Sequence, residues 1–600
     1  MFTHEQRLLE DKIRAWLQAN EIPVPDAFKW VPLPFSGEWG ISLALFPLAA
    51  QEARRAGKRV NVPARAQEIA AGLAEHLEGA PGFSHIEAVR GYLNLYFPTA
   101  AYAQRVVGTI LKQGADFGRG GSKGERIMVE YAQPNTHHSF HIGHYRNAIL
   151  GESLSRVVEF AGFDTIRASY PGDIGLGVIT VLWIYDKFYK GQEPEGIHER
   201  GQWLLKLYVE ASRMLEPRPD ETPEEKAQRE AWDAERREML RRWDAGDLYV
   251  RALWEETREW SLEELRAILE MLDIHIDVWF YESEVDGPSK AIVDELIARG
   301  IAIDERPEGP VIVRIDEQLG LKKEKYRTAV ILRSDGTSLY LTKDLALAKR
   351  KFEQYGVDRS VYVVDNRQSL HFRQVFKILE LWGFEQAKKC YHLAYGFVSL
   401  PEGAMSARRG RLVLFKDVAD EAVNRIRRVS AEKNPDLSPA EREEVARTVG
   451  LGAMAYAMLS VDNNRDIVFE MERALSYDGR TGPYIQNAHV RASSILRKAG
   501  DLPSQAAFDY PLSDHEVTLI DQLSRFPSVV QQAAEEYRPM VMAAYAYELA
   551  TAFHAFYHAV PVLQSETPET RAARLHLVAA ARQVLANALR LLVIHAPDVM

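Results

Sequence analysis

The chain has one cysteine, Cys390, in 600 residues. That excludes a disulfide framework and any Cys-based zinc cluster, and it fits a cytoplasmic protein. No apolar run approaches the ~20 residues a membrane-spanning helix needs. The most apolar tail segment, Leu577 to Ile594, is interrupted by Arg582, Gln583 and Arg590, and reads as an amphipathic helix. A signal-peptide pattern is missing too: Thr3 and Gln6 are spaced as a capping box at a helix start. Positive charge is the scarcer sign, with Lys+Arg 74 against Asp+Glu 85 and a net charge of −11. Such a chain does not coat nucleic acid non-specifically, although a local basic surface can still hold RNA.

What is present is an ordinary globular balance, 46% apolar and 26% charged, in a length that predicts three or four domains. Residues 1–115 alternate helical and strand-like patterns and predict a small α+β domain ending in one alternating strand, Ile86 to Phe97. Gly114 to Gly124 holds five glycines without periodicity and reads as a linker. From 125 to 412 the order strand, helix, strand predicts a parallel α/β domain. It carries a charged helical insertion over about 195–260, read as a solvated face. Within it, Thr328 to Arg333 and Thr337 to Thr342 flank Ser334-Asp335-Gly336 and predict a hairpin. Later come a strand (Val361 to Asp365), a helix (Ser369 to Trp382) and a strand (Tyr391 to Val398). From Val413 to Met600 the pattern is helical with no strand, divided into 413–470 and 471–600. The fold class is therefore multidomain α/β plus α.

The sharpest motif is His141-Ile142-Gly143-His144, between the strand Arg126–Tyr131 and a helix over about Gly143 to Ala161. A helix N-terminus offers free N–H groups and partial positive charge to phosphates. Two imidazoles on that turn can donate hydrogen bonds to phosphoryl oxygens as charge builds in an in-line displacement. Gly143 leaves room for a base or sugar to approach. Four residues alone are a weak signal; their place after a strand and at a helix start strengthens it.

The run Glu130-Tyr131-Ala132-Gln133-Pro134-Asn135, followed by His141 to His144 and by Arg146-Asn147, resembles the first signature of arginyl-tRNA synthetases. Further blocks resemble that family in the same order: Tyr170 to Gly175, Tyr340 to Asp344, Val363 to Ser369, Met405 to Gly410, and Leu475 to Gln486. The resemblance spans essentially the whole chain. It implies a Rossmann-type catalytic domain, a helical stem, an α-helical anticodon-binding domain at 471–600, and an N-terminal domain that meets the tRNA corner. It also implies that ATP and L-arginine form arginyl-adenylate, generally with tRNA(Arg) bound, and that the arginyl group passes to the terminal adenosine. Mg2+ assists at the phosphates, and the family is mostly monomeric.

Site residues carry over from the matching blocks. ATP falls to His141, Gly143, His144, Met405 and Ser406. Arginine falls to Glu130 and Asp344 as acidic partners, with Asn135, Tyr340 and Gln368. A guanidinium is planar, permanently charged and rich in donors, so such a pocket needs carboxylates. Tyr340 and Asp344 share a face if their turn is helical; a plainer role for Asp344 is the N-cap of a helix over Leu345 to Lys351. Tyr92 and Asn94 match the tRNA-corner region, and Tyr484, Gln486, His489 and Arg491 lie on or near one helix of the anticodon domain.

Two positions depart from the family pattern. The second signature normally offers a Lys where Ala404 stands, and members lacking it carry a Lys where this chain has His138. Arg408 and Arg409 could supply the missing charge, though a guanidinium fork is not an ammonium. These departures leave an alternative open: a tRNA-binding paralogue with weakened or lost adenylate chemistry. A changed amino-acid preference is a third reading, opposed by Glu130 and Asp344. The cluster His137, His138, His141, His144 has permissive spacing for a divalent ion, but no Cys or acidic partner lies at ligand spacing, so no metal ligand is assigned.

Overall fold

The computed structural model describes residues 3–56, 60–401 and 413–600. The side chains of the Thr3–Gln6 capping box, and Ala404, Met405, Ser406, Arg408 and Arg409 of the second signature, lie outside the described residues. The chain divides into two compact units: Met1–Phe117 with Ala492–Ser524 and Ala552–Val584, and Gly118–Arg491 with Arg525–Thr551 and Leu585–Met600.

The first unit carries an antiparallel sheet of β1 (Trp30–Pro32), β2 (Trp39–Ala44), β3 (His85–Val89) and β4 (Tyr92–Phe97), in the order β1-β2-β4-β3. The single strand expected over Ile86 to Phe97 is thus a hairpin. Arg90 and Gly91 both take positive φ, 49° and 86°, the backbone of a tight turn whose twist suits paired strands. Alternation continues across such a turn, so the pattern alone did not reveal it. Leu43, Leu93 and Leu95 pack under this sheet with Leu9, Ile13 and Leu17 of the helix Thr3–Ala19.

The second unit is built on five parallel strands: β5 (Arg126–Glu130), β6 (Asp164–Ser169), β7 (Val278–Trp279), β11 (Arg359–Asp365) and β12 (Cys390–Tyr395). Their order is β12-β11-β5-β6-β7. Residues Ile127 to Glu130 are all buried, as expected for a strand covered on both faces. From β5 the chain crosses to β6 on one side and only later to β11 on the other. The carboxyl ends of β5 and β11 therefore flank a switch point, where ligands of open α/β sheets bind.

Three expectations are corrected here. The chain does turn back at Ser334-Asp335-Gly336, but the second hairpin strand shrinks to one antiparallel bridge, Leu332 with Ser338. Instead, β10 (Thr328–Leu332) pairs with β9 (Val311–Arg314), which pairs with β8 (Ile303–Asp304), and Tyr340–Tyr355 is a helix. Leu341, Leu345 and Phe352 repeat at helical spacing and are buried, and that face outweighs the turn signal before it. Downstream of Val413 a two-residue strand, β14 (Ile467–Val468), pairs in parallel with β13 (Val398–Ser399). The glycine-rich segment is packed: a Cβ on Gly120 would lie 2.1 Å from the Ala161 carbonyl oxygen, and one on Gly162 2.0 Å from that of Gly121. Those glycines permit a close backbone approach.

The charged insertion forms the helices Ile197–Leu215, Pro223–Asp244 and Leu248–Met271. It has an apolar interior around Leu204, Leu207, Trp243, Leu253 and Trp254. Long helices follow to the C-terminus, Gly482–Ala499, Asp514–Glu535, Pro539–Ala559 and Pro568–Leu591 among them. In the last, Arg582 and Arg590 are exposed while Leu577, Leu585 and Leu589 are buried, the expected amphipathic division.

Candidate active site

The helix Ile142–Phe160 opens at the carboxyl end of β5, and both motif histidines are part of its cap. His141 is the N-cap. Its Nδ1 accepts from the Gly143 N–H at 3.0 Å and the His144 N–H at 3.3 Å, and the His144 Nδ1 faces the His141 N–H at 3.5 Å. The two rings stack with centroids 3.6 Å apart. This is a capping box made of imidazoles. It fixes the tautomer, because an Nδ1 that accepts from backbone leaves the hydrogen on Nε2. Burial holds His141 down to about 4 and His144 well below the ordinary histidine value. Near neutral pH the turn therefore carries neutral Nε2–H donors.

The other histidines of the run differ. His137 is fully buried with φ 63°; its ring meets Thr136 Oγ1 at 3.0 Å and Thr257 Oγ1 at 2.8 Å, and burial pulls it down to about 3. It is a loop anchor. His138 lies against the Tyr208 ring and is lowered by burial. The insertion helix Leu248–Met271 supplies Thr257, and also Trp254 Nε1 to the Asp173 carbonyl (2.7 Å) and Arg258 to the Asp173 carboxylate (3.0 Å). This part of the insertion, expected to be a solvated face, braces the site.

Asn147, one turn into the helix, spans the switch point. Its Oδ1 accepts from the Ala132 N–H at 2.5 Å and its Nδ2 donates to the Val363 carbonyl at 2.6 Å, linking the ends of β5 and β11. Arg146 is buried and donates to the carbonyls of Gly396 (2.6 Å) and Asn463 (3.0 Å).

Beside this turn lies a concentration of carboxylates that sequence spacing could not show. Glu130, Asp173, Glu282 and Asp344 all act on the Tyr170 hydroxyl, whose ionisation is pushed far up by burial and by these four charges. Glu130 is buried and ion-paired with the buried Lys351 at 2.5 Å; Glu282 pairs with Lys343 at 2.7 Å. Burial raises both carboxyls, and the lysines oppose it. Asp344 meets His371 Nε2 at 2.5 Å. Because the helix begins at Tyr340 with Leu339 as N-cap, Asp344 sits inside the helix and does not cap it. Tyr340 and Asp344 share a face, as a helical turn requires. Tyr340 is exposed. Asn135 is exposed next to Gly172, where a Cβ would lie 2.5 Å from its Oδ1. Gln368 is exposed and ends the short turn Asn366–Gln368 after β11. Tyr170, Glu282, Lys343, Lys351 and His371 were not singled out from sequence. The runs Tyr170 to Gly175 and Tyr340 to Asp344, which contain Tyr170 and Lys343, were the signals toward them.

The RNA-facing expectations separate by burial. Tyr92 is 40% exposed with its ring edge-on to Phe46, whereas Asn94 is buried and its Oδ1 accepts from Ser42 Oγ at 2.7 Å. Gln486 and His489 are buried; Gln486 Nε2 donates to the carbonyls of Thr448 and His595, and His489 Nδ1 lies 2.8 Å from that of Pro597. Those three side chains face inward. Tyr484 and Arg491 are half-buried.

The family description "tRNA synthetases class I (R), catalytic domain" matches residues 106–471, and "DALR anticodon binding domain" matches 485–600. A curated arginine–tRNA ligase of Bdellovibrio bacteriovorus is 37% identical over 537 residues, 89% of each chain. The chain belongs to the class I arginyl-tRNA synthetase family. Another curated member, from Treponema pallidum subsp. pallidum, is 32% identical over 576 residues, covering 94% of this chain and 93% of its own. Among solved structures, the Thermus thermophilus arginyl-tRNA synthetase superposes with a TM-score of 0.79 at 27% identity, covering 99% of this chain and 100% of the other. The Plasmodium falciparum arginyl-tRNA synthetase, 19% identical with a TM-score of 0.75, shares the fold. Among the described residues, no helix is long and apolar enough to cross a membrane, and no three His, Cys, Asp or Glu side chains converge as a metal site.

Proposed function

We propose that this chain ligates L-arginine to tRNA(Arg) at the expense of ATP, as a cytoplasmic monomer. One observation carries the reading: a cluster of carboxylates, of the chemistry a guanidinium needs, lies at the same strand ends as a neutral histidine turn opening a helix. In the first step an oxygen of the arginine carboxylate forms a bond to the α-phosphorus of ATP. The bond to the β-phosphate bridging oxygen breaks, and pyrophosphate leaves with that electron pair. His141 and His144 donate through Nε2 to the phosphoryl oxygens on which charge builds, and Gly143 leaves space for the nucleotide. Glu130 and Asp344 receive the guanidinium, with Asn135, Tyr340 and Gln368 completing the pocket. A hydroxyl of the tRNA terminal adenosine then attacks the acyl carbon and AMP leaves. Magnesium comes with ATP as part of the substrate; no protein group is assigned to hold it. Tyr92, Tyr484 and Arg491 are the RNA-facing side chains of the expected set.

Burial keeps His138 neutral near pH 7, so it does not supply the ammonium that family members place there. A second reading rests on that single observation: a tRNA-binding paralogue with weakened adenylate chemistry. Arginylation of tRNA(Arg) by purified protein, beside a His138→Lys variant, separates the two. The enzyme reading expects charging by the unmodified chain. Bound tRNA without charging, restored by His138→Lys, overturns it.

A further inference from the structure

The four carboxylates around Tyr170 have unlike partners. Glu130 is held by Lys351, Glu282 by Lys343 and Asp173 by Arg258. Asp344 is held by His371, at 2.5 Å. A carboxylate only accepts, so His371 Nε2 carries the shared hydrogen, and protonation at Nδ1 sets the charge of the pair. The other groups around the pair are identifiable. His392 on β12 interacts with His371 and lies beside Asp365, and burial lowers it, so it stays neutral near pH 7. Glu130, Glu282, Tyr170, Tyr340 and Tyr362 all interact with Asp344.

We propose that His371 is a positioning residue that decides whether Asp344 is available to the amino-acid substrate. Neutral, it holds the carboxylate by a hydrogen bond and leaves its negative charge for the guanidinium. Protonated, it neutralises Asp344 and competes with the guanidinium, so arginine binding at falling pH releases a proton. The inference rests on the arginine pocket proposed above. It goes beyond that pocket by coupling substrate affinity to one named imidazole.

The test is KM for arginine in tRNA charging from about pH 6 to about pH 8.5, with KM for ATP as internal reference. The unmodified enzyme is expected to show arginine KM rising about threefold or more between about pH 8 and about pH 6; one linked proton limits the slope to about tenfold per pH unit. KM for ATP should stay level. His371→Gln keeps a donor at the Nε2 position and cannot charge; its arginine KM should match the unmodified enzyme at high pH and lose most of the rise. His371→Lys, a permanent cation, should raise arginine KM about tenfold or more throughout the range. If that variant does not fold, the glutamine comparison decides. Equal pH profiles in the unmodified and glutamine enzymes overturn the inference. An Asp344→Ala enzyme with unchanged arginine KM at about pH 8 overturns the pocket reading itself. Impaired Asp344→Ala beside equal profiles sinks the His371 inference alone.

Discussion

The histidine turn and the carboxylate pocket are similarly buried and sit at the same end of one sheet, yet they treat charge in opposite ways. At the turn, His137, His141 and His144 are stripped of charge, because burial penalises imidazolium and no carboxylate is bonded to their rings. In the pocket, burial raises the Glu130 and Glu282 carboxyls while Lys351 and Lys343 oppose it, and Arg258 pairs with Asp173. Glu264 shows what happens without such company. It lines a small cavity with His138 and Asn135, the basic side chain beside it is His198 at 3.8 Å, itself lowered by burial, and burial pushes Glu264 up to about 7. Burial sets the direction of each of these shifts, and a bonded partner of opposite charge is what works against it.

The largest expected effect on this contrast comes from Lys351→Met. Removing one member of a buried pair leaves an uncompensated carboxylate, and denaturant unfolding should show a loss of about 3–5 kcal/mol. Adding Glu130→Gln should recover part of it. A single variant within about 1 kcal/mol of the unmodified chain would show that Glu130 needs no partner.

His141→Ala removes a phosphoryl donor and a cap. The adenylate-forming kcat should fall about 100- to 1000-fold, with arginine KM little changed. A variant that instead raises arginine KM at constant kcat would merge the two regions into one binding surface.

Two smaller effects have opposite signs with pH. His137 is depressed from 6.5 to about 3 in the fold. Its contribution is fully present above the unfolded value and lost as pH falls toward about 3. His137→Asn should flatten the acid limb of the stability profile by up to about 1.4 kcal/mol per pH unit. Glu264 is raised from 4.5 to about 7. The native state binds the extra proton, so its contribution is fully present below the unfolded value and lost as pH rises toward about 7. Glu264→Gln should therefore stabilise the protein more near pH 8 than near pH 5. Parallel slopes for the two variants would refute the partner argument.

Much of this architecture was legible because its signals are local. His141 to His144 reads as a strand-to-helix turn from four residues and their flanks, and the helix Ser369–Trp382 was found to the residue. Signals that changed meaning over distance were misread. The hairpin at Arg90-Gly91 was hidden because alternation runs through it. The strand expected before Thr342 was lost to a helix whose apolar face packs on elements far away in sequence. The glycines at 120 and 121 read as slack and turned out to mark backbone in contact with Ala161 and Gly162, which no local pattern distinguishes. Asn94, Gln486 and His489 looked like RNA readers by position, yet their amides and ring are occupied inside the protein.

By itself, then, the sequence determined the order of elements, the helix that starts at His141 and the residue types needed for phosphate and guanidinium chemistry, because periodicity, capping and motif spacing act within a few residues. Only the tertiary structure decided protonation and pairing. Lys351 reaches Glu130 across 221 positions, and His371 reaches Asp344 from a separate helix. Whether an imidazole or a carboxyl keeps its charge depends on burial and on which distant side chain arrives beside it, and neither is written along the chain.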